Sequence, residues 1–231
     1  MEKIRYQGVA LKYVVVYPDG YDSRKSYPLI ILLHGFGSNM HDLAGLAPSI
    51  DPTGYIYLCP NGPVSVPLGP GMTGFAWTPL ADAKTADDVA LAEDSVSRFV
   101  DEVMQRHHTV PGRIILGGFS QGGMMTYQVG LPRPGLFAGL VALSGRVEDS
   151  DGIKKRLPLD RSQPVFIAHG IEDPLIPIDQ GRQSRDFLQA LGYHPSYHEY
   201  PMAHQITQEV LDDLAPWIRG TLPPLSQGEA L

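Results

Sequence analysis

The pentapeptide from Gly118 to Gly122, Gly-Phe-Ser-Gln-Gly, is the part of this sequence best suited to nucleophilic chemistry. It fits the pattern G-x-S-x-G, which places a serine on a sharp turn between a strand and a helix. The apolar run 113–117 before it and the segment 122–129 after it favour a strand and a helix at those places. A Cβ at either outer glycine would collide with neighbouring backbone. The pattern predicts that Ser120 holds a strained conformation beside a helix N-terminus, which stabilises negative charge.

A serine hydroxyl is a poor nucleophile near neutral pH, so Ser120 needs a histidine base and an acid that orients this base. In hydrolases built around such a serine, the chain order is serine, acid, histidine. Two acids, Glu172 and Asp173, follow the predicted strand 164–168. We predict Asp173 as the acid because Pro174 stiffens its turn, and keep Glu172 as the second choice.

Three histidines follow Asp173, close to the last predicted strand, 196–200. His194 precedes this strand and His198 lies within it, whereas His204 lies in the loop that comes after it. A loop at the end of a strand lets a side chain reach across to the serine. We therefore predict His204 as the general base and interpret the other two as surface or packing residues.

The loop His34-Gly35-Phe36-Gly37 directly follows a continuously apolar strand, 29–33. Its glycines allow a backbone N–H to point into a cavity, as an oxyanion hole requires. We predict the backbone N–H groups of Phe36 and Gln121 as the oxyanion donors. His34 and His169 each precede a glycine at a strand end, and we interpret both as residues that orient loops by hydrogen bonds.

The composition limits the classes of partner. The chain has 231 residues, 43% of them hydrophobic, and a formal net charge of −7, which gives no reason to expect nucleic acid or an anionic membrane surface. The single cysteine, Cys59, excludes an internal disulfide framework and fits a reducing compartment. No signal-like segment or membrane-spanning run is found. We expect a cytoplasmic, single-domain protein over 1–231, with a loose tail at 221–231.

Hydrophobic periodicity predicts the elements that position these residues. The predicted strands are 9–17, 29–33, 55–59, 113–117, 136–143, 164–168 and 196–200. The predicted helices are 85–107, 122–129, 179–191 and a last one that ends near 218. Strands that alternate with helices predict a mostly parallel central sheet with helices on both faces, whose ligand sites lie at the carboxyl ends of the strands.

Two segments break this pattern. Residues 63–80 are rich in proline and glycine and read as a long irregular loop, which either packs on the body or walls a substrate pocket. Residues 146–163 are polar, and the acids Glu148, Asp149 and Asp151 within them are interpreted as structural.

Four stretches together resemble the phospholipase/carboxylesterase family, which includes the acyl-protein thioesterases and small bacterial carboxylesterases. They are Leu33 to Gly37, Gly117 to Gly123, His169 to Pro177 and Met202 to His204. The resemblance runs from about residue 28 to 218 and implies an α/β-hydrolase fold. It also implies a triad of Ser120, Asp173 and His204, oxyanion donors at Phe36 and Gln121, no cofactor or metal, and a possible homodimer.

The chain departs from the family pattern at two places on the substrate side. Phe75-Ala76-Trp77 stands where members often carry Trp-Phe-Asp, and Ser38 follows Gly37 where an aspartate is often found. These differences bear on acyl preference more than on the chemistry.

The expected function is serine-dependent hydrolysis of carboxylic esters, or thioesters, with short to medium acyl chains. The apolar residues expected to line the pocket are Phe36, Met72, Phe75, Trp77, Leu175 and Ile176. Two alternatives stay open: the same triad acting on a peptide bond or on a carbon–carbon bond next to a carbonyl, and a non-catalytic binding protein of the same fold.

Overall fold

The computed structural model describes residues 1–226 and places the most apolar runs of the sequence at the centre of a sheet. The strands are, in chain order, β1 (Glu2–Gln7), β2 (Lys12–Tyr17), β3 (Leu29–Leu33), β4 (Ile56–Pro60), β5 (Val64–Gly69), β6 (Met72–Ala76), β7 (Ile114–Phe119), β8 (Gly139–Leu143), β9 (Val165–Gly170) and β10 (Ser196–Tyr200). Strand β3 is buried along its whole length because it lies between β4 and β7 and is covered on both faces.

Within residues 1–226, eight of these strands form one sheet in the order β1-β2-β4-β3-β7-β8-β9-β10. Strand β2 is antiparallel to both of its neighbours, β1 and β4, and all other neighbouring strands are parallel. The predicted mostly parallel sheet is therefore confirmed. Its carboxyl ends bring the loops after β3, β7, β9 and β10 to one edge.

Helices cover both faces of this sheet. They are α1 (Ala47–Ile50), α2 (Ala86–Arg106), α3 (Gln121–Gly130), α4 (Ser150–Arg156), α5 (Ile178–Ala190) and α6 (Gln208–Thr221). One buried cluster joins side chains of α2 to α5 to one face, and a second joins α1 and α6 to the other. Leu29 and Ile31 of β3 belong to the first cluster and Ile30 to the second, as the alternation along a strand requires. The α/β-hydrolase fold is confirmed.

Helix α2 begins where its sequence signal predicts. Thr85 is the N-cap, and its hydroxyl accepts a hydrogen bond from the backbone N–H of Asp88 at 3.2 Å. The carboxylate of Asp88 in turn accepts from the backbone N–H of Thr85 at 2.8 Å. This capping box satisfies two N–H groups at a helix end that would otherwise lack partners.

The prediction of a long irregular loop at 63–80 is wrong. Strands β5 and β6 form an antiparallel hairpin there, and Gly69 and Gly71 take positive φ angles at its turn. The alternation of Val64 and Val66 with polar residues is a strand signal, but it is short and Pro67 interrupts it. The hairpin is tied to the loop after β3, because Phe75 accepts from the N–H of Gly37 at 2.9 Å and donates to the carbonyl of Ser38 at 2.7 Å.

Strand β1 and the helices α1 and α4 were also not predicted. Strand β1 pairs with β2 at the sheet edge, where few of its side chains are buried and the hydrophobic pattern is weak. Helix α4 lies inside the segment 146–163, and its N-cap Asp149 accepts from the N–H of Gly152 at 2.8 Å. The structural interpretation of Asp149 agrees with this cap.

The expected loose tail at 221–231 is wrong as far as residue 226. Leu222 is buried, and the N–H of Leu225 donates to the carbonyl of Gly54 at 3.0 Å, so this part of the chain packs on the body. Residues 227–231 lie outside the described residues. No helix within 1–226 combines the length and the apolar character that crossing a membrane requires.

Candidate active site

Ser120 occupies the sharp turn between β7 and α3. Its backbone angles are φ 56° and ψ −118°, a region that side chains other than glycine rarely adopt. The turn is tight on both sides: a Cβ on Gly122 would lie 1.9 Å from the carbonyl oxygen of Leu33, and one on Gly118 would lie 2.3 Å from the backbone of Gly122. The N–H of Ser120 is held by the carbonyl of Leu143 at 2.8 Å. The strained serine expected from the motif is present.

His204 connects this serine to a buried acid. It lies in the loop after β10, with Nε2 2.8 Å from Ser120 Oγ and Nδ1 2.6 Å from Asp173 Oδ2. A carboxylate only accepts hydrogen bonds, so Nδ1 carries the ring proton and Nε2 is free to accept from the serine hydroxyl. The ring also packs against Phe119, with centroids 4.8 Å apart. The geometry thus brings together the three residues that the sequence singles out.

Asp173 is buried and its oxygens have partners. Oδ1 accepts from the N–H groups of Leu175 and Ile176, both at 2.9 Å, while Oδ2 faces His204. Such charge-assisted bonds stabilise a carboxylate that has lost contact with water. Glu172, the second choice, is exposed and lies outside this arrangement.

His169, at the end of β9, lies on the other side of Asp173. Its side chain is fully buried, and Nε2 donates to the carbonyl of Ile176 at 2.8 Å. The same nitrogen is 3.6 Å from Asp173 Oδ2. The residue therefore holds the turn 170–176 by a hydrogen bond, as interpreted from the sequence.

His194 and His198 take no part in the site. His194 is exposed, whereas His198 lies within β10 and stacks on Phe166, with ring centroids 5.0 Å apart. Among residues 1–226, no group of three His, Cys, Asp or Glu side chains has an arrangement that could hold a metal ion.

The two predicted oxyanion donors, Phe36 and Gln121, border the same cavity beside Ser120. Within residues 1–226, neither backbone N–H donates to another protein atom, so both are available to an incoming oxygen. Gln121 is the first residue of α3, where the helix dipole adds to the attraction for negative charge. Free backbone N–H groups beside a nucleophile are what stabilisation of an oxyanion requires, so Phe36 and Gln121 stay the candidate donors.

A buried frame holds these donors in place. His34 donates from Nδ1 to the carbonyl of Gly35 at 2.7 Å and accepts at Nε2 from Gly62 at 3.0 Å. Burial lowers the pKa of His34, which favours this neutral form. Trp77 Nε1 donates to the carbonyl of His34 at 2.9 Å, and the side chain of Gln121 bonds the backbone of Trp77, again at 2.9 Å.

The cavity beside Ser120 has a volume of about 420 Å³. Its apolar lining residues are Phe36, Pro79, Leu80, Phe119, Met124, Leu175 and Ile176. Of the residues expected to line it, Met72, Phe75 and Trp77 do not. Trp77 is fully buried in the frame behind the oxyanion loop, while Met72 and Phe75 belong to the β5–β6 hairpin.

Charged residues that the sequence analysis did not assign to the site also line this cavity. Glu148 accepts hydrogen bonds from Lys84 Nζ at 2.5 Å and from Arg146 at 3.1 Å. All three side chains line the cavity, so the interpretation of Glu148 as structural leaves out its position in the cavity wall. These residues come from separate segments, before α2 and after β8. Local periodicity carries no information on contacts of this kind.

The chain is similar in sequence to known proteins of one family. The family model described as phospholipase/carboxylesterase matches residues 20–222. Acyl-protein thioesterase 1 of Gibberella zeae is 31% identical over 215 residues, which cover 84% of this chain and 91% of that protein. Its counterpart in Neurospora crassa is 30% identical, with 85% and 88% covered.

Solved structures show the same architecture. The crystal structure of esterase PE8 has a TM-score of 0.78 and 25% identity, and the match covers 90% of this chain and 97% of that one. A carboxylesterase from Mesorhizobium loti also has a TM-score of 0.78, at 20% identity, with 95% and 100% covered. This second likeness concerns the fold alone.

Proposed function

The chain belongs to the phospholipase/carboxylesterase family, and from this premise we propose that it hydrolyses carboxylic esters through a covalent acyl-enzyme on Ser120. The observation that supports the proposal most directly is the continuous series of hydrogen bonds from Ser120 Oγ through His204 to Asp173, at 2.8 and 2.6 Å. In this series His204 is the general base, and Asp173 fixes its tautomer and stabilises the imidazolium.

In the first step, His204 Nε2 takes the proton of Ser120 Oγ as this oxygen attacks the ester carbonyl carbon. The carbonyl oxygen becomes negatively charged in the tetrahedral intermediate. It receives hydrogen bonds from the N–H groups of Phe36 and Gln121, which are already held in place by the frame around Trp77. Donors that need no reorganisation stabilise the transition state more than the ground state.

In the second step, the bond from carbon to the leaving oxygen breaks, and His204 gives its Nε2 proton to that oxygen. The alcohol departs and leaves an acyl group on Ser120. Water then attacks the acyl-enzyme with the same histidine as base, which releases the acid and restores the serine. Throughout, the Nδ1 proton stays directed at Asp173 Oδ2.

The expected substrates are esters with short to medium acyl chains. A cavity of about 420 Å³ with apolar walls falls in the range typical of small-molecule sites. Thioesters are a second candidate class because the relatives named above are acyl-protein thioesterases. The same attack applies to either carbonyl, with a thiol instead of an alcohol as the leaving group.

Hydrolysis of p-nitrophenyl esters from acetate to laurate tests the proposal, with Ser120→Ala beside the wild type. Ser23→Ala is the matched control, since Ser23 is exposed and does not line the cavity beside Ser120. We expect activity on short chains that is lost in Ser120→Ala and kept in Ser23→Ala. Unimpaired hydrolysis in Ser120→Ala would contradict the role of that serine.

Two further experiments test the two alternatives, namely another scissile bond and a non-catalytic binding protein. A panel of thioesters, peptides and substrates with a carbon–carbon bond next to a carbonyl separates the possible scissile bonds. Labelling of Ser120 by a serine-directed fluorophosphonate separates an enzyme from a binding protein, because it requires an activated hydroxyl. A folded wild type that neither turns over an ester nor reacts with this probe would favour the binding protein.

A further inference from the structure

A second, more enclosed cavity of about 180 Å³ adjoins the cavity beside Ser120. Both cavities are lined by Lys84, Glu148, Gln121 and Met124, so these four residues stand between them. The apolar part of the second cavity is formed by Val89, Met124 and Met125. We call it the inner chamber. The role proposed for the inner chamber depends on the proposed ester hydrolysis.

The Lys84–Glu148 ion pair spans the boundary between the two cavities. Lys84 precedes α2 and Glu148 follows β8, and Lys84 Nζ donates to Glu148 Oε2 at 2.5 Å. Arg146 holds the other carboxylate oxygen of Glu148 at 3.1 Å and is itself held by Gln180 at 2.6 Å. Among the residues that the structure describes, Glu148 has two partners and Lys84 has one, so Lys84 is the side chain that can move more easily.

The pair is suited to opening. Its side chains are 19% and 29% exposed, so water can reach both charged groups when they separate. When the pair breaks, the ammonium group of Lys84 can remain in water while its flexible stem swings aside. Methionine side chains such as those of Met124 and Met125 adapt to chains of different length.

We propose that the Lys84–Glu148 pair limits acyl-chain length and that, once it opens, the inner chamber binds the distal methylenes of medium to long acyl chains. A closed pair confines the acyl group to the outer cavity, as the short-chain preference expected above requires. An open pair brings further methylenes into contact with Val89, Met124 and Met125 instead of water. The boundary then sets the ratio of activity on long chains to activity on short chains.

The test compares kcat/KM for p-nitrophenyl decanoate and butyrate in Lys84→Ala and the wild type. Each newly buried methylene raises kcat/KM by about fourfold, so we expect the decanoate-to-butyrate ratio to rise by about tenfold or more. Glu148→Gln should shift the ratio in the same direction. The matched control is Arg98→Ala, which breaks the exposed ion pair of Arg98 with Asp94 on α2 and should leave the ratio unchanged.

Filling the inner chamber distinguishes it from any other path for the chain. In the double variant Lys84→Ala/Val89→Phe, the phenyl ring occupies the space near Met125, and the ratio should return to within about twofold of the wild-type value. A ratio that stays at the wild-type value in both Lys84→Ala and Glu148→Gln would overturn the proposal. So would a gain that persists in the double variant.

Failure of the proposed function has a different signature. It would appear as a wild type without turnover that depends on Ser120, whatever happens at Lys84. In that case, the affinity for decanoate, measured by calorimetry, takes the place of the decanoate-to-butyrate ratio of kcat/KM as the readout. Tighter binding to Lys84→Ala than to the wild type, reversed by Val89→Phe, supports the inner chamber, and equal binding overturns it.

Discussion

His169 Nε2 lies 3.6 Å from Asp173 Oδ2, the same carboxylate oxygen that faces His204 Nδ1 at 2.6 Å. His169 and Asp173 are also linked through Ile176, because the carbonyl of Ile176 accepts a hydrogen bond from His169 and its N–H donates one to Asp173. His169 is therefore a positioning residue for the acid and not a group that touches the substrate.

Replacing His169 tests this relationship. His169→Phe removes the donor to Ile176, and we expect kcat to fall by about tenfold to a hundredfold because the acid is no longer held in place. His169→Gln retains a donor at the same reach and should recover most of kcat, with KM little changed in both. A loss of thermal stability in His169→Phe with unaltered kcat would contradict the positioning role. His194→Gln, at an exposed histidine, is the control.

The two adjacent acids offer a matched comparison. Asp173→Asn keeps the shape of the side chain but favours the wrong tautomer of His204, so we expect kcat to fall on the order of 10⁴-fold. Glu172→Gln changes the exposed neighbour and should leave kcat close to the wild-type value. Ester hydrolysis at neutral pH measures both, and the reverse outcome would move the role of the acid to Glu172.

Trp77 supports the oxyanion loop by one hydrogen bond. Trp77→Phe leaves the buried carbonyl of His34 without its donor, which costs about 1–3 kcal/mol of unfolding free energy. A loosened loop should also lower kcat by about tenfold, less than complete loss of an oxyanion donor. Urea unfolding and ester kinetics check the two effects. The control is Trp217→Phe, at a half-buried tryptophan of α6, where kcat should not change.

Gly122 is required by the close approach of α3 to β3. In Gly122→Ala, the new Cβ would meet the carbonyl oxygen of Leu33, so we expect a loss of more than about 4 kcal/mol or no folded protein. Gly135 has open space around it, and Gly135→Ala should change stability by no more than about 0.5 kcal/mol. Circular dichroism during urea unfolding measures both. A stable Gly122→Ala protein would show that the turn can relax.

His107 makes stability depend on pH. Burial lowers its pKa in the folded protein to about 4, from an ordinary value of about 6.5. As the pH falls, His107 is therefore protonated in the unfolded chain before it is protonated in the folded protein. The stability that comes from keeping His107 neutral is complete above pH 6.5 and is lost as the pH falls toward 4. Between pH 7 and pH 5 we expect a loss of about 2 kcal/mol.

His107→Phe tests this assignment because it removes the titrating group and keeps an aromatic ring. The change in unfolding free energy between pH 7 and pH 5 should become smaller than in the wild type. His108 is exposed and has a φ of 51°, a conformation that asparagine tolerates, so His108→Asn is the control and should keep the wild-type pH dependence. An equal pH dependence in His107→Phe would assign the effect to other groups.

The sequence predicts well which residues meet at the carboxyl edge of the sheet, because the residues of the triad follow strands. Ser120 and Asp173 come within a few residues of the ends of apolar runs, and parallel strands bring their carboxyl ends to one edge of the sheet. The proximity of His204 follows from the same rule. What local patterns determine, namely the apolar central strands, the cap at Thr85 and the serine turn, could be derived, whereas β1 and the β5–β6 hairpin could not.

The cavity walls could not be derived in this way. Trp77 is apolar and lies in a segment rich in proline and glycine, which fits a pocket wall as well as a buried support. Its full burial and its hydrogen bonds to His34 and Gln121 separate the two. Lys84 and Glu148 are 64 positions apart and meet because two loops converge. Contacts between distant loops depend on tertiary packing, which hydrophobic periodicity does not encode.

The backbone at Ser120 has an evolutionary consequence. Glycine rests at a φ of 56° and a ψ of −118° without strain, whereas a serine held there raises the free energy of the folded state by about 1–3 kcal/mol. Folding alone would therefore favour glycine at position 120. A lineage released from selection for hydrolysis would gain stability by losing its nucleophile, so drift at this position should run toward glycine.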